Sequence, residues 1–296
     1  APYTAPAPAP ADPAWVNTPV SYSPAMQMRM RVLDFGTDKY GLYAYIYDST
    51  DDGVANYDRV LFAPVLDGAA AVADLMKGEW GDVKVKIFGG TYAGLTAGFL
   101  VKVEALNPEL SMVSLFHYSA ARAIAKWAGF PGEAGYTDFE EFLAAEFPSS
   151  TAADYAILES GIVSEDTYVE QGLAWDNFAK PVLEYLINVY QPDLAMVGYP
   201  TIDEFQHQFM GLVTPTLPNG EANPAYDDVL VDGTKDGLVA ERQGYLKAAY
   251  QGAAETYVTV RRMMPAGNVN SIVASDHGFV AQFLAIDASQ VLVNLG

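Results

Sequence analysis

Up to about residue 119 the chain alternates between apolar and polar positions or carries short apolar blocks. The runs MRMRVLDFG, GLYAYIYDST, YDRVLFAPV and VKVKIFGG are separated by Gly and Asp turns such as Asp51-Asp52-Gly53, and FLVKVEAL and MVSLFHYS continue the pattern. Period two predicts β-strands, because successive side chains leave opposite faces of an extended chain. From about Ala120 the period lengthens. TDFEEFLAAEF opens on Thr137 with Glu140 three residues on, the spacing of a capping box at a helix start. EDTYVEQGLAWDNFAKPVLEYLINVY is amphipathic at helical period, and Pro181 within it predicts a bend or break. LAMVGY and NSIVAS then read as short buried strands. Strands alternating with helices predict an α/β core with a mainly parallel central sheet flanked by helices. The chain divides on this reading into an extended Ala/Pro-rich arm (1–14), a strand-rich accessory region (15–119) and an α/β core (120–296). No repeat at a fixed period is visible.

Each of the two late apolar runs ends in ligand-type residues. TIDEFQHQF follows LAMVGY with Thr201 as a plausible N-cap, and its Asp203 and His207 stand at i and i+4 on one helical face, within reach of one ion. Asp276 and His277 follow NSIVAS directly, with Gly278 to let the backbone turn. Together they use two of only three histidines. Taken singly, an Asp-x-x-x-His is more often a solvated pair and an Asp-His-Gly a simple turn. Both at the C-terminal ends of apolar strands, where open α/β sheets hold ligands, point to a two-cation hydrolytic centre.

The segment from about Asp193 to Phe279 resembles the type I phosphodiesterase/nucleotide pyrophosphatase family of the alkaline phosphatase superfamily. There a helical Asp-x-x-x-His and a later Ser-Asp-His-Gly supply zinc ligands, and GYLKAAYQGAAETYVTVRRMM looks like the family's long helix between the motifs. TAGFLVKVEAL and MVSLFHYSAARAIA look like its less diagnostic middle portion. The resemblance implies an alkaline-phosphatase-like fold, a phosphoric ester hydrolase acting on a small phosphate ester, and two divalent cations, zinc before others. Asp203 and His207 would bind the first cation with a later histidine, and Asp276 and His277 the second with an early aspartate and a Thr or Ser nucleophile. No histidine follows His277, so the first set is one ligand short. The nearest nucleophile candidates are Thr91 and Thr96 in GGTYAGLTAGF, after Asp67 in RVLFAPVLDG, where backbone N–H groups of a Gly-rich turn can hold a phosphate. Both precede an apolar run that reads as a strand, so the other reading is a turn between strands. The nucleophile would then lie outside this chain, in a further segment or chain that completes the site.

Composition adds limits. At 296 residues with 51% hydrophobic and 12% aromatic residues the chain can bury a large core, and the absence of cysteine excludes disulfides and thiolate metal sites. Any cation must be held by oxygen and imidazole, a set that suits zinc, manganese or iron. Calcium would suit carboxylates alone, as around Asp48, Asp51 and Asp52 or Asp227 and Asp228, where a turn and a solvated loop are the other readings. His117, on an apolar strand, reads as a hydrogen-bonded core or edge residue. A net charge of −21 argues against a nucleic-acid polymer as partner, and no stretch reaches the length of a membrane span. The acidity suits a secreted, extracellular protein, with a periplasmic or cell-surface setting as the alternative; removal of an export signal before Ala1 and cleavage from a preceding domain both fit the start of the chain. A second reading is a secreted surface or structural protein that keeps the scaffold without catalysis.

Overall fold

The computed structural model describes residues 7–35, 38–133, 135–264 and 270–283. The first six residues of the predicted arm therefore lie outside the described residues. The chain forms two compact units, one of residues 1–151, 156–167 and 177–182, the other of residues 152–155, 168–176 and 183–296.

The first unit holds the strands. β1 (Ala9–Pro10), β2 (Met26–Phe35), β3 (Asp38–Tyr47), β4 (Arg59–Ala63) and β5 (Ala73–Met76) pair in that order as an antiparallel sheet. A second antiparallel sheet has the order β6 (Trp80–Lys86), β7 (Thr96–Leu106), β8 (Val113–His117). Alternation sets the inward faces: Met28 and Met30 are buried while Arg29 and Arg31 are exposed. Met28, Met30, Leu42, Ile46, Val60 and Phe62 from one sheet share a core with Val83, Phe99, Val101 and Val103 from the other. On the opposite face of the first sheet, Trp15 packs on Tyr45 (5.1 Å between ring centroids) and donates through Nε1 to Gln27 at 2.8 Å.

The mainly parallel central sheet is not formed. Among the described residues there are two antiparallel sheets and five helices. Consecutive strands here are joined by loops rather than by crossover helices, and such connections suit antiparallel neighbours. The strands of the first half pair with one another, and the two runs read as buried parallel strands, LAMVGY and NSIVAS, take no strand structure. Their apolar side chains face solvent: Leu194 is 77% and Ile272 89% exposed.

Helix α1 (Phe139–Glu146) begins one residue later than the spacing predicts. Asp138, not Thr137, is the N-cap and accepts from the Glu141 amide at 2.8 Å. Glu140 turns instead to Arg122 (3.0 Å), leaving Glu141 to collect the Thr96 hydroxyl (2.6 Å), the Thr96 amide (3.0 Å), Lys86 Nζ (2.7 Å) and Arg122 Nη1 (2.7 Å). Burial alone would raise the Glu141 carboxyl; the bonds from Lys86, Thr96 and Arg122 outweigh it and bring it down to about 2. A carboxyl whose folded value is depressed adds stability above its unfolded value near ~4.3, and that stability is lost as pH falls toward the folded value. Glu141→Gln is therefore expected to flatten the dependence of the urea midpoint on pH between about 5 and about 2. An unchanged acid slope would contradict this.

Helices α2 (Tyr155–Glu159) and α3 (Glu165–Tyr185) belong partly to each unit. Pro181 lies inside α3 rather than ending it, and the helix closes in a π-helical turn at Leu186–Tyr190. Proline removes one ladder hydrogen bond, and the turn after it leaves the α-helical register. In the second unit α4 (Thr201–Val213) packs on α5 (Val239–Met263). Phe205, Phe209 and Leu212 form the buried stripe of α4 at i, i+4 and i+7, with Tyr168 against both phenylalanines and Tyr245 against Phe209. Thr201 is the first helical residue and not the cap: Pro200 occupies that position, and the Thr201 hydroxyl donates to the Gly172 carbonyl at 3.1 Å. Just before α4, Tyr199 donates to Asp176 at 3.3 Å beside Gly252 of α5, where a first side-chain carbon would stand 2.0 Å from the Tyr199 oxygen. Burial first, then the Asp176 charge, raises the Tyr199 hydroxyl and keeps it protonated as a donor. These contacts fix the start of α4, and with it the residues that follow.

Candidate active site

With Phe205, Phe209 and Leu212 turned inward, the opposite side of α4 presents Asp203 and His207, both partly open to solvent. The described segment 270–283 brings Asp276 and His277 to the same place. Asp203 stands between the two imidazoles, with Oδ2 3.4 Å from His207 Nε2 and Oδ1 3.8 Å from His277 Nε2. Asp276 Oδ2 is 3.6 Å from His277 Nε2, and Asp276 is the most exposed of the four. Residues more than 60 positions apart in the chain thus meet on one carboxylate.

Both rings are oriented alike. His207 Nδ1 meets the side-chain carbonyl oxygen of Gln282 at 3.0 Å, and His277 Nδ1 meets the backbone carbonyl of Gly278 at 3.0 Å. Carbonyl oxygens only accept, so a neutral ring that keeps this contact carries its proton on Nδ1 and turns a bare Nε2 toward Asp203. A bare nitrogen and a carboxylate oxygen are both acceptors; a proton or a cation between them is what makes the approach favourable. The Oδ1 atom of Asp203 is buried and has no hydrogen-bond partner, which sharpens the demand. For His277 the proton can serve: its bond to Gly278 first, then the charges of Asp276 and Asp203, raise the ring above the ordinary imidazole value. Asp203 beside it, and burial before that, push the Glu204 carboxyl up.

Two carboxylates and two imidazoles are donor types that zinc-like cations take, and one carboxylate oxygen, Oδ1 of Asp203, has no hydrogen-bond partner. The approaches are pairwise and run through Asp203. Among the described residues no group of three or more His, Asp or Glu side chains is arranged to hold a metal ion at one point.

The remaining sequence candidates take other places. Thr96 is buried at the start of β7 with its hydroxyl engaged by Glu141 and Lys86. Thr91 is exposed in the turn between β6 and β7. Asp67 caps a short 3-10 turn at Gly68–Ala70 and accepts from Asn17 at 2.9 Å. The carboxylate of Asp48 is occupied by Ser23, Thr50 and the Asn56 amide, which makes its loop a turn. Asp228 accepts the Asp232 and Gly233 amides, while Asp227 accepts the Leu238 amide. His117, the last residue of β8, reaches the middle of β2, with Nε2 2.9 Å from the Arg31 carbonyl. The residue missed in the sequence is Gln282, whose side-chain oxygen meets His207 Nδ1.

No protein family, curated protein or solved structure matches the chain. No helix among the described residues is long and apolar enough to cross a membrane.

Proposed function

We propose that this protein hydrolyses small phosphate esters at a cation-dependent centre built on Asp203, His207, Asp276 and His277, with zinc the best-suited ion. The observation that carries the reading is Asp203 held between two imidazoles whose Nε2 atoms both face it. A bound cation would supply Lewis acidity to the phosphoryl oxygens and ease deprotonation of a hydroxyl. The chain's own residues contribute two carboxylates that offset cation charge and two imidazoles whose orientation is set by carbonyl partners. Raised protonation of His277 opposes cation uptake at low pH, so uptake should strengthen as pH rises.

The test is hydrolysis of bis(4-nitrophenyl) phosphate with and without chelator, alongside elemental analysis for bound metal. The expected result is chelator-sensitive turnover with bound metal in the wild type, and loss of both in Asp203→Ala. A metal-free, inert wild type would favour the second reading, a non-catalytic surface or structural protein; the absence of a preformed three-ligand group among the described residues is the observation on its side.

A further inference from the structure

We propose that Gln282 is a positioning residue that selects the tautomer of His207 and so decides which ring nitrogen faces Asp203. Three contacts seat residues 279–282 on α4. The Phe279 ring stands edge-to-face on the His207 imidazole, 4.8 Å between centroids at 86°. The Gln282 side-chain oxygen meets His207 Nδ1 at 3.0 Å. The third contact is backbone: Gly211, one turn beyond His207 on α4, has no side chain, and a first carbon there would fall 2.4 Å from the Gln282 carbonyl oxygen. Only glycine lets the segment come this close.

The consequence is chemical rather than structural. An imidazole free in water favours the proton on Nε2, which at His207 would present an N–H to Asp203 and leave no lone pair for a cation. An acceptor fixed at Nδ1 reverses that preference and directs the lone pair of Nε2 toward Asp203, 3.4 Å away. Gln282 is exposed, so its replacement touches no core packing.

The relevance to cation binding rests on the proposed function; the tautomer does not. The experiment is therefore read twice on the full chain. Long-range 1H–15N correlation at a pH where the rings are neutral, in chelator, reports the tautomer of His207, assigned by its loss in His207→Gln. The wild type and Gln282→Glu are expected to show the Nδ1–H form, and Gln282→Leu to move toward Nε2–H. Gly211→Ala, which pushes the segment away while keeping Gln282, should move the same way. An Nε2–H ring in the wild type, or no change in Gln282→Leu and Gly211→Ala, would overturn the proposal. Titration with zinc is the second readout, in which Gln282→Leu should bind about 10- to 100-fold more weakly and Gln282→Glu should not. A tautomer change with no zinc bound by any variant would sink the cation centre and leave the positioning role standing. Zinc binding with an unmoved tautomer would do the reverse.

Discussion

Arg242→Leu is expected to destabilise the second unit by about 3–5 kcal/mol, read as a drop in urea midpoint, because it removes one partner from a buried ion pair. The guanidinium on α5 is 1% exposed, with Nη2 2.8 Å from Asp236 and Nη1 3.9 Å from Asp227. Both carboxylates also organise the loop between α4 and α5. Asp227 accepts the Leu238 amide and Asp236 the Val229 amide, while the Asp236 amide donates to the Asp227 carbonyl. Leucine would fill space without charge and leave two poorly solvated carboxylates facing each other. Arg242→Lys keeps the charge but cannot bridge two acceptors with a planar fork, so an intermediate loss is expected. A Leu variant within about 0.5 kcal/mol of wild type would contradict the assignment, since that is the scale of a surface change.

His207→Ala is expected to leave folding nearly intact while lowering chelator-sensitive turnover by more than about 10²-fold, beyond the loss typical of an outer-shell partner. The side chain is 45% exposed and makes no core contact, so its truncation should change stability by about 0.5 kcal/mol or less. The function it loses is specific: Asp203 would keep its approach from His277 but face no imidazole on its Oδ2 side. Unchanged circular dichroism with abolished turnover is the expected pair of results. Retained turnover would remove His207 from the site.

The strand-rich half was legible because alternation reports directly which face a residue takes, and runs such as MRMRVLDF and FLVKVEAL fall within strands β2 and β7. Sheet direction was not legible, because period two is the same in parallel and antiparallel pairing; the late apolar runs misled it. LAMVGY and NSIVAS have the composition of buried strands, yet composition names no partner, and in the fold Leu194, Met196, Val197, Ile272 and Val273 face solvent. Helix starts slipped by one residue where two cap-type residues adjoin, as at Thr137 and Asp138. At the site, the i, i+4 spacing put Asp203 and His207 together, as helical geometry requires. That His277 reaches the same carboxylate is a tertiary fact, as is the role of Gln282, which no local pattern marks.

Anomalous diffraction from crystals soaked in zinc tests the central claim most directly. The account predicts a peak bounded by Asp203 and the Nε2 atoms of His207 and His277, near the carboxylate of Asp276, that vanishes in Asp203→Ala. Zinc absent from that position, or retained there after the aspartate is removed, would contradict it.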